Sequence, residues 1–162
     1  MGKLYIRVDD RLIHGQTIVA WCPTLSINEI IGVDDFTANN PMLKNIVTMS
    51  VPKSYGIDVV TIEKAKQLVG QESDNNRLLI VKFPNQVYQL KEYLKECEMI
   101  ILGNMAKRED TIHQLTDATG IFYLSNQDVE ELSELANEGF NVIFQQLPNT
   151  NVVQWESFRK SL

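Results

Sequence analysis

A chain of 162 residues suits one ordinary domain burying roughly two thirds of its unfolded surface, so no disulfide staple or metal clip is required. A formal charge of -6, with basic residues scattered rather than clustered, argues against nucleic acid, which needs a dense Lys/Arg face. No signal pattern and no apolar run near the ~20 residues of a membrane span is present, so the expectation is a cytoplasmic protein without direct membrane insertion.

Short β-branched runs alternate with stretches of helical apolar spacing, the pattern of βαβ units around a parallel sheet. "KLYIRVD" reads as the first strand, and several strands are apolar nearly throughout, as strands covered on both faces should be. A first helix carries Ile18, Trp21, Cys22 and Leu25 on one face, and Pro23 should end or distort it before Leu25. "EIIGVD" is the second strand. Asn40 then caps a helix whose first turn takes Pro41, because a first-turn residue has no intrahelical N–H bond to lose.

"IDVVTI" is the third strand, followed by a short helix over 63–69 closed by Gly70. "RLLIVKF" is the fourth, followed by a helix from Gln86 to about Glu96 that buries Val87, Leu90, Leu94 and Cys97. "MIILG" is the fifth. Residues 104–124 fit no βα unit, and "TIHQLTDATGIFYL" within them predicts two antiparallel strands extending a sheet edge. "SNQDVEELSELANEG" combines a Ser125 cap, Asp128 three residues on, an apolar stripe and a Gly139 terminator, which predicts a helix. "FNVIFQQL" is a late strand, and the tail "NVVQWESFRKSL" adds a last helix. The expected fold is therefore α/β: one three-layer, doubly wound domain over 1–162, with a mainly parallel sheet, helices on both faces and an antiparallel edge extension.

Chemistry concentrates in "RVDDRLIHGQ", where Asp9, Asp10, Arg11 and His14 crowd between the first strand and the first helix. In open α/β sheets, ligands collect beyond the carboxyl ends of the strands, and the next helix offers unpaired N–H groups and a positive dipole end. His14, Gly15 and Gln16 stand at that lip. An imidazole with an ordinary pKa of ~6.5 is a competent nucleophile at cellular pH and forms a reactive phosphoramidate. The loose transition state of phosphoryl transfer asks mainly for N–H donors and a guanidinium, which Arg11 supplies as a planar fork. Asp10 or Asp9 would accept from the other ring nitrogen. Each residue also has a plainer reading: His14 as a cap or satisfied polar group, the aspartates as turn formers, Arg11 as a surface salt-bridge partner.

"RVDDRLIHGQTIVAW" resembles the N-terminal signature of the B subunit (EIIB) of mannose/fructose/sorbose-type sugar phosphotransferase systems, Arg-(Ile/Val)-Asp-Asp-Arg-Leu-Ile-His-Gly-Gln followed by an aliphatic helix with Trp. Chain length, "IIGVDD", "VPKSYGIDV" and the turn after the fifth strand fall in the family's order along essentially the whole chain. The resemblance implies that His14 accepts a phosphoryl group from a histidine of the EIIA component through Nδ1 and passes it to a sugar held by membrane components EIIC and EIID. It also implies that no metal or cofactor is used, and that Asp10 and Arg11 frame an exposed loop whose protein is peripherally associated with the transporter. Many relatives read Gly-Gly-Met after the fifth strand where this chain reads Gly103-Asn104-Met105, and Asn104 puts a direct phosphate contact there in question.

Asp34 and Asp35 close the second strand, expected beside the first, and are candidates for the crevice rim along with Phe36, Gly103 and Asn104. Phe36 is either buried or a partner contact. Lys107 and Arg108 belong to a charged loop or meet an acidic partner, and His113, in the presumed edge strand, carries no motif. Cys22 and Cys97 have no CxxC or His-spaced partners and read as buried thiols. An Asp-dependent phosphohydrolase would want a DxD spacing rather than adjacent Asp9 and Asp10. A receiver domain would need an aspartate where the third strand ends in Thr61 and Ile62, and a non-catalytic anion-binding module would leave Arg11 and His14 beside the helix start as a coincidence.

Overall fold

Alternation within the strands decides which side chains meet which helical layer. The computed structural model describes residues 1–162 as β1 (Leu4–Asp9), α1 (Gly15–Leu25), β2 (Glu29–Val33), α2 (Asp35–Ala38), α3 (Pro41–Thr48), β3 (Gly56–Val60), α4 (Ile62–Val69) and β4 (Arg77–Val81). There follow α5 (Pro84–Leu90), β5 (Met99–Asn104), β6 (Thr111–Gln114), β7 (Tyr123–Ser125), α6 (Asn126–Asn137), β8 (Val142–Phe144), β9 (Val153–Gln154) and α7 (Trp155–Lys160). The main sheet has the order β3-β2-β4-β1-β5-β8-β9, parallel throughout except for β9, which runs antiparallel to β8.

Leu4, Ile6 and Val8 of β1, Leu79 and Val81 of β4, and Ile100 and Leu102 of β5 join one core with Ala65 and Val69 of α4, Val87 and Leu90 of α5, Leu132 and Leu135 of α6, and Trp155 and Phe158 of α7. The intervening residues face the other way: Leu78 and Ile80 meet Ile18 and Cys22 of α1, and Ile101 and Ile143 meet Trp21. A period of two thus sorts each strand between two helical layers, and each fully buried aliphatic side chain contributes about 1.5–3 kcal/mol.

The helix after β1 lies on one face and the helix after β4 on the other, yet β1 and β4 are neighbours. That reversal opens a crevice beyond their carboxyl ends, where the loop after β1 sits.

Four expectations change. Helix α1 runs two residues past Pro23 and ends at Ser26, whose φ of 55° makes a left-handed cap; Pro23 sits in the last turn, so the one i→i−4 bond it removes disturbs only the end of the helix. Helix α5 begins at Pro84 and stops at Leu90 rather than near Glu96. The pair β6–β7 is antiparallel but forms its own two-stranded sheet, tied to the end of β5 by a bridge between Met105 and Phe122. It extends no edge because β8 already occupies the free side of β5, and the antiparallel edge strand is β9. Finally, β2 is not beside β1, since β4 lies between them. The capping box of α6 forms as expected, with Ser125 Oγ accepting from the Asp128 N–H at 3.0 Å and Asp128 Oδ2 from the Ser125 N–H at 2.9 Å. Gly139 ends the turn beyond α6 at a φ of 103°, where a side chain would be strained.

Cys22 is buried on the sheet-facing side of α1, and burial pushes its thiol up to about 11; burial likewise pushes Cys97 up to about 12. With so little thiolate, both should resist iodoacetamide at pH 8 in the native protein and react fully once it is unfolded, which mass spectrometry would read as zero against two adducts.

Candidate functional site

The polypeptide leaves β1 through a loop held from both ends. Asp9, 1% exposed, takes the Arg11 backbone N–H and Nε on Oδ1, both at 3.0 Å, and Arg11 Nη2 on Oδ2 at 3.0 Å. Arg11 Nη2 also donates to Thr17 Oγ1 at 3.1 Å, which ties the fork to the first turn of α1. Those bonds to Asp9 hold the Arg11 guanidinium above its ordinary pKa. The chain then turns through Leu12, whose φ of 61° is left-handed and costs a non-glycine residue about 1–2 kcal/mol. Burial of the Leu12 and Ile13 side chains against Ile30, Val59 and Ile80 offsets that strain and anchors the loop.

Asp10 points elsewhere. Its Oδ1 accepts from Asn104 Nδ2 at 2.6 Å and its Oδ2 from the Ala106 N–H at 2.8 Å, while its own N–H donates to the Asn104 carbonyl at 3.1 Å. Asn104 is therefore a clamp between β1 and β5, 6% exposed and without a left-handed backbone. Neither carboxylate bonds the His14 ring, so the expected acidic orienter of the imidazole is absent: both are already committed to stronger partners.

His14 occupies the N-cap position of α1 but makes no capping hydrogen bond. The ring is half-buried; its Nδ1 is sealed and without a partner, and Nε2 is the nitrogen that keeps solvent access. Beyond it, the backbone N–H groups of Gly15, Gln16 and Thr17 have no partner in the chain, and no acidic side chain lies in that first turn. The reading of His14 as a cap or a satisfied polar group fails on these facts. What remains is an unbonded imidazole, three free N–H groups at the positive end of an eleven-residue helix and the uncommitted Nη1 of Arg11, a set suited to an anionic group that must arrive and leave.

The family model for the "PTS system sorbose subfamily IIB component" matches residues 4–161. The chain belongs to that family. It is thus a subunit of a sugar phosphotransferase system. The N-acetylgalactosamine-specific phosphotransferase enzyme IIB component 1 of Escherichia coli K12 is 30% identical over 147 residues, covering 90% of each chain. The mannose-specific EIIAB component of the same strain is 26% identical over 138 residues, which are 84% of this chain and 42% of that one. Among solved structures, the IIB domain of the Klebsiella pneumoniae sorbose permease superposes with a TM-score of 0.86 over 99% of this chain and 98% of that one at 23% identity, a likeness of fold.

In this IIB chain the other candidate residues fall outside the loop. Asp34 caps α2, accepting from the Thr37 N–H at 3.2 Å and its hydroxyl at 2.6 Å, and Asp35 Oδ1 accepts from the Ile62 N–H at 2.8 Å, so both carboxylates serve local turns. Phe36 is 72% exposed, which removes the buried alternative, because α2 is a single turn with only Thr37 turned inward. Arg108 is drawn back to Asp128 and Asp110 and lies over the Phe83 ring at 5.4 Å, whereas Lys107 is exposed. His113 Nε2 pairs with Asn126 Oδ1 at 2.8 Å, on the small β6–β7 sheet.

Sequence reading missed Arg7. It stands on the α1 side of β1, fully buried, with Nη1 donating to the Gln145 carbonyl at 3.2 Å and Nη2 to the Gln146 carbonyl at 2.9 Å. Burial lowers its pKa to about 10, opposed by Asp9, and it stays cationic at neutral pH. The available signal was an arginine at an inward position of an otherwise apolar strand, which demands buried partners. Gly103 is there for the same reason: a Cβ on it would overlap the Arg7 guanidinium.

Proposed function

We propose that His14 is the phosphoryl carrier of this IIB chain, taking a phosphoryl group from a phosphohistidine of an EIIA component and handing it to a sugar held by membrane components EIIC and EIID. The imidazole attacks phosphorus as the donor P–N bond breaks. In the second step a sugar hydroxyl attacks phosphorus, the His14 P–N bond breaks, and the hydroxyl proton is in net terms taken up by the released imidazole nitrogen. The observation that carries this reading is the unbonded His14 ring beside the free N–H groups of Gly15, Gln16 and Thr17 and the open Nη1 of Arg11. These donors suit the spread negative charge of a loose transition state.

Asp9 and Asp10 hold the loop rather than react. Their carboxylates are pulled in different directions, by Arg11 and Arg7 on one side and by Asn104 and Ala106 on the other, which speaks against a nucleophilic aspartate. Attack through Nδ1, implied by the signature "LIHG", requires the ring to turn from the orientation seen here, and a half-turn about Cβ–Cγ exchanges Nδ1 with Cδ2 without moving the backbone. The name of the mannose EIIAB relative, with A and B in one chain, supports an A-type donor. No helix is long and apolar enough to cross a membrane. On this reading residues 1–162 form one IIB domain that works in the cytoplasm against the transporter.

Incubation with phosphorylated EIIA tests the reading. The label should be lost in acid and survive base, as a phosphoramidate does; an acyl phosphate would show the reverse, and an anion-binding module would take up nothing. Arg11→Lys keeps the charge but loses the fork held by Asp9, and transfer should slow roughly ten- to a hundredfold in rapid-quench assays. Wild-type rates in that variant would remove Arg11 from the chemistry. The names of the relatives carry several sugars, and reconstitution with EIIC and EIID, scored for which sugar drains the label, identifies this one.

A further inference from the structure

We propose that Arg7 is a positioning residue for phosphoryl transfer, acting through Asp9 to hold the Arg11 fork still. The inference rests on the phosphoryl-carrier reading of the same loop. The Arg7 guanidinium is walled in on every side: Gly103 leaves the notch it fills, the Trp21 ring lies 5.4 Å from its carbon, and the Gln145 and Gln146 carbonyls take one amino group each. Trp21 Nε1 donates to the same Gln146 carbonyl at 3.0 Å, so the turn after β8 and the middle of α1 are pinned to one point. The acid group within reach is Asp9, whose Oδ2 stands 3.5 Å from Nη2.

That Oδ2 is also the oxygen that receives Arg11 Nη2 at 3.0 Å, making Asp9 the shared counter-ion of a fixed guanidinium below and a partly exposed one above. The two cations differ in freedom. Arg7 is 0% exposed, with each terminal nitrogen donating to one backbone carbonyl and its buried Nε unpartnered, whereas the Arg11 side chain is 36% exposed and keeps Nη1 uncommitted. A buried charge in the middle of β1 is a costly way to fill space, since an apolar side chain of similar volume is often neutral or better for stability. Here the cation buys a rigid Asp9, and through Asp9 an Arg11 whose free Nη1 is already aimed when the phosphoryl group arrives. Sequence places Arg7, Asp9 and Arg11 at alternate positions; the strand turns the first two to one face, and the bend at Asp10 brings the third back onto it.

A merely structural Arg7 would slow transfer whatever stands at position 11, whereas a positioning Arg7 has nothing to position once Arg11 is gone. Single-turnover transfer from phosphorylated EIIA is measured in Arg7→Met, Arg11→Ala and the double variant, with Arg7→Lys as the milder replacement should Arg7→Met fail to fold. The expected result is about a tenfold fall in the maximal rate for Arg7→Met, an unchanged half-saturating donor concentration, and no further fall beyond about twofold when it is added to Arg11→Ala. Equal losses with and without the Arg11 guanidinium overturn the proposal. A second readout needs no donor: the Arg11 Nε–H, bonded to Asp9, should exchange slowly with solvent by ¹⁵N NMR in the wild type and at least tenfold faster in Arg7→Met or Arg7→Lys. Unchanged exchange also overturns it. A wild type that takes no label would defeat the carrier reading, while this exchange measurement would still decide the coupling.

Discussion

His14→Ala is expected to take up no phosphoryl group from phosphorylated EIIA, a loss bounded only by detection, while its circular dichroism and melting temperature stay close to wild type. The ring contributes no hydrogen bond to the fold, sits at an N-cap it does not cap, and leaves Nδ1 unsatisfied, so its removal costs the chain little. What it removes is the nucleophile. His113→Ala, which breaks a contact between β6 and Asn126 at the start of α6, should label normally. Stoichiometric label on folded His14→Ala would reject the assignment. In labelled wild type, ¹⁵N NMR resolves the two ring nitrogens, and phosphorus on Nδ1 would show that the ring turns over before it reacts; phosphorus on Nε2 would show that the orientation seen here is the reactive one.

Gly103→Ala is expected to be the most destabilising single methyl in the site region. The added Cβ would overlap the guanidinium carbon and both terminal nitrogens of Arg7, which is 0% exposed and held by the Trp21 ring and the Gln145 and Gln146 carbonyls. The guanidinium must leave its notch, so two carbonyl bonds and the contact to Asp9 are strained or lost together. Overpacking and unsatisfied buried groups put the cost at about 3 kcal/mol, or a fall in Tm of about 6–12 °C for a chain of this length. Thermal unfolding by calorimetry checks it. A fall under about 2 °C would mean that Arg7 is looser than its packing indicates and would weaken the case for it as a fixed post.

The alternation of β-branched runs with helical spacing was enough to read an α/β sheet, because each strand covered on both faces must be apolar at nearly every position, as Leu78 to Val81 are. The cap at Asn40 and the box at Ser125 were legible for a similar reason: they are local bonds between residues three apart. So was the crowding of Asp9, Asp10, Arg11 and His14, since the loop and the first turn of α1 are contiguous in the chain. The signature at this loop and its continuation down the chain named the family that the comparisons bear out. Sequence spacing misread Gln86 to Glu96 as one helix, because an apolar stripe continues past Leu90 whether or not the backbone does.

Partnerships across distance belonged to the tertiary structure alone. Asn104 looked like a substituted glycine at a phosphate turn and proved to be the clamp on Asp10, 94 residues away, because β1 and β5 are adjacent and their ends shift register there. The order that inserts β4 between β1 and β2 keeps β2 from pairing with β1, the carboxylates of Asp34 and Asp35 are spent on local turns, and no local pattern encodes strand order. Arg7 found its carbonyls at Gln145 and Gln146 only once β8 had docked beside β5 and α1 had brought Trp21 over the sheet. Local chemistry wrote the reactive loop into ten consecutive residues; the packing of strands distant in the chain determined which carboxylate each of its groups would face.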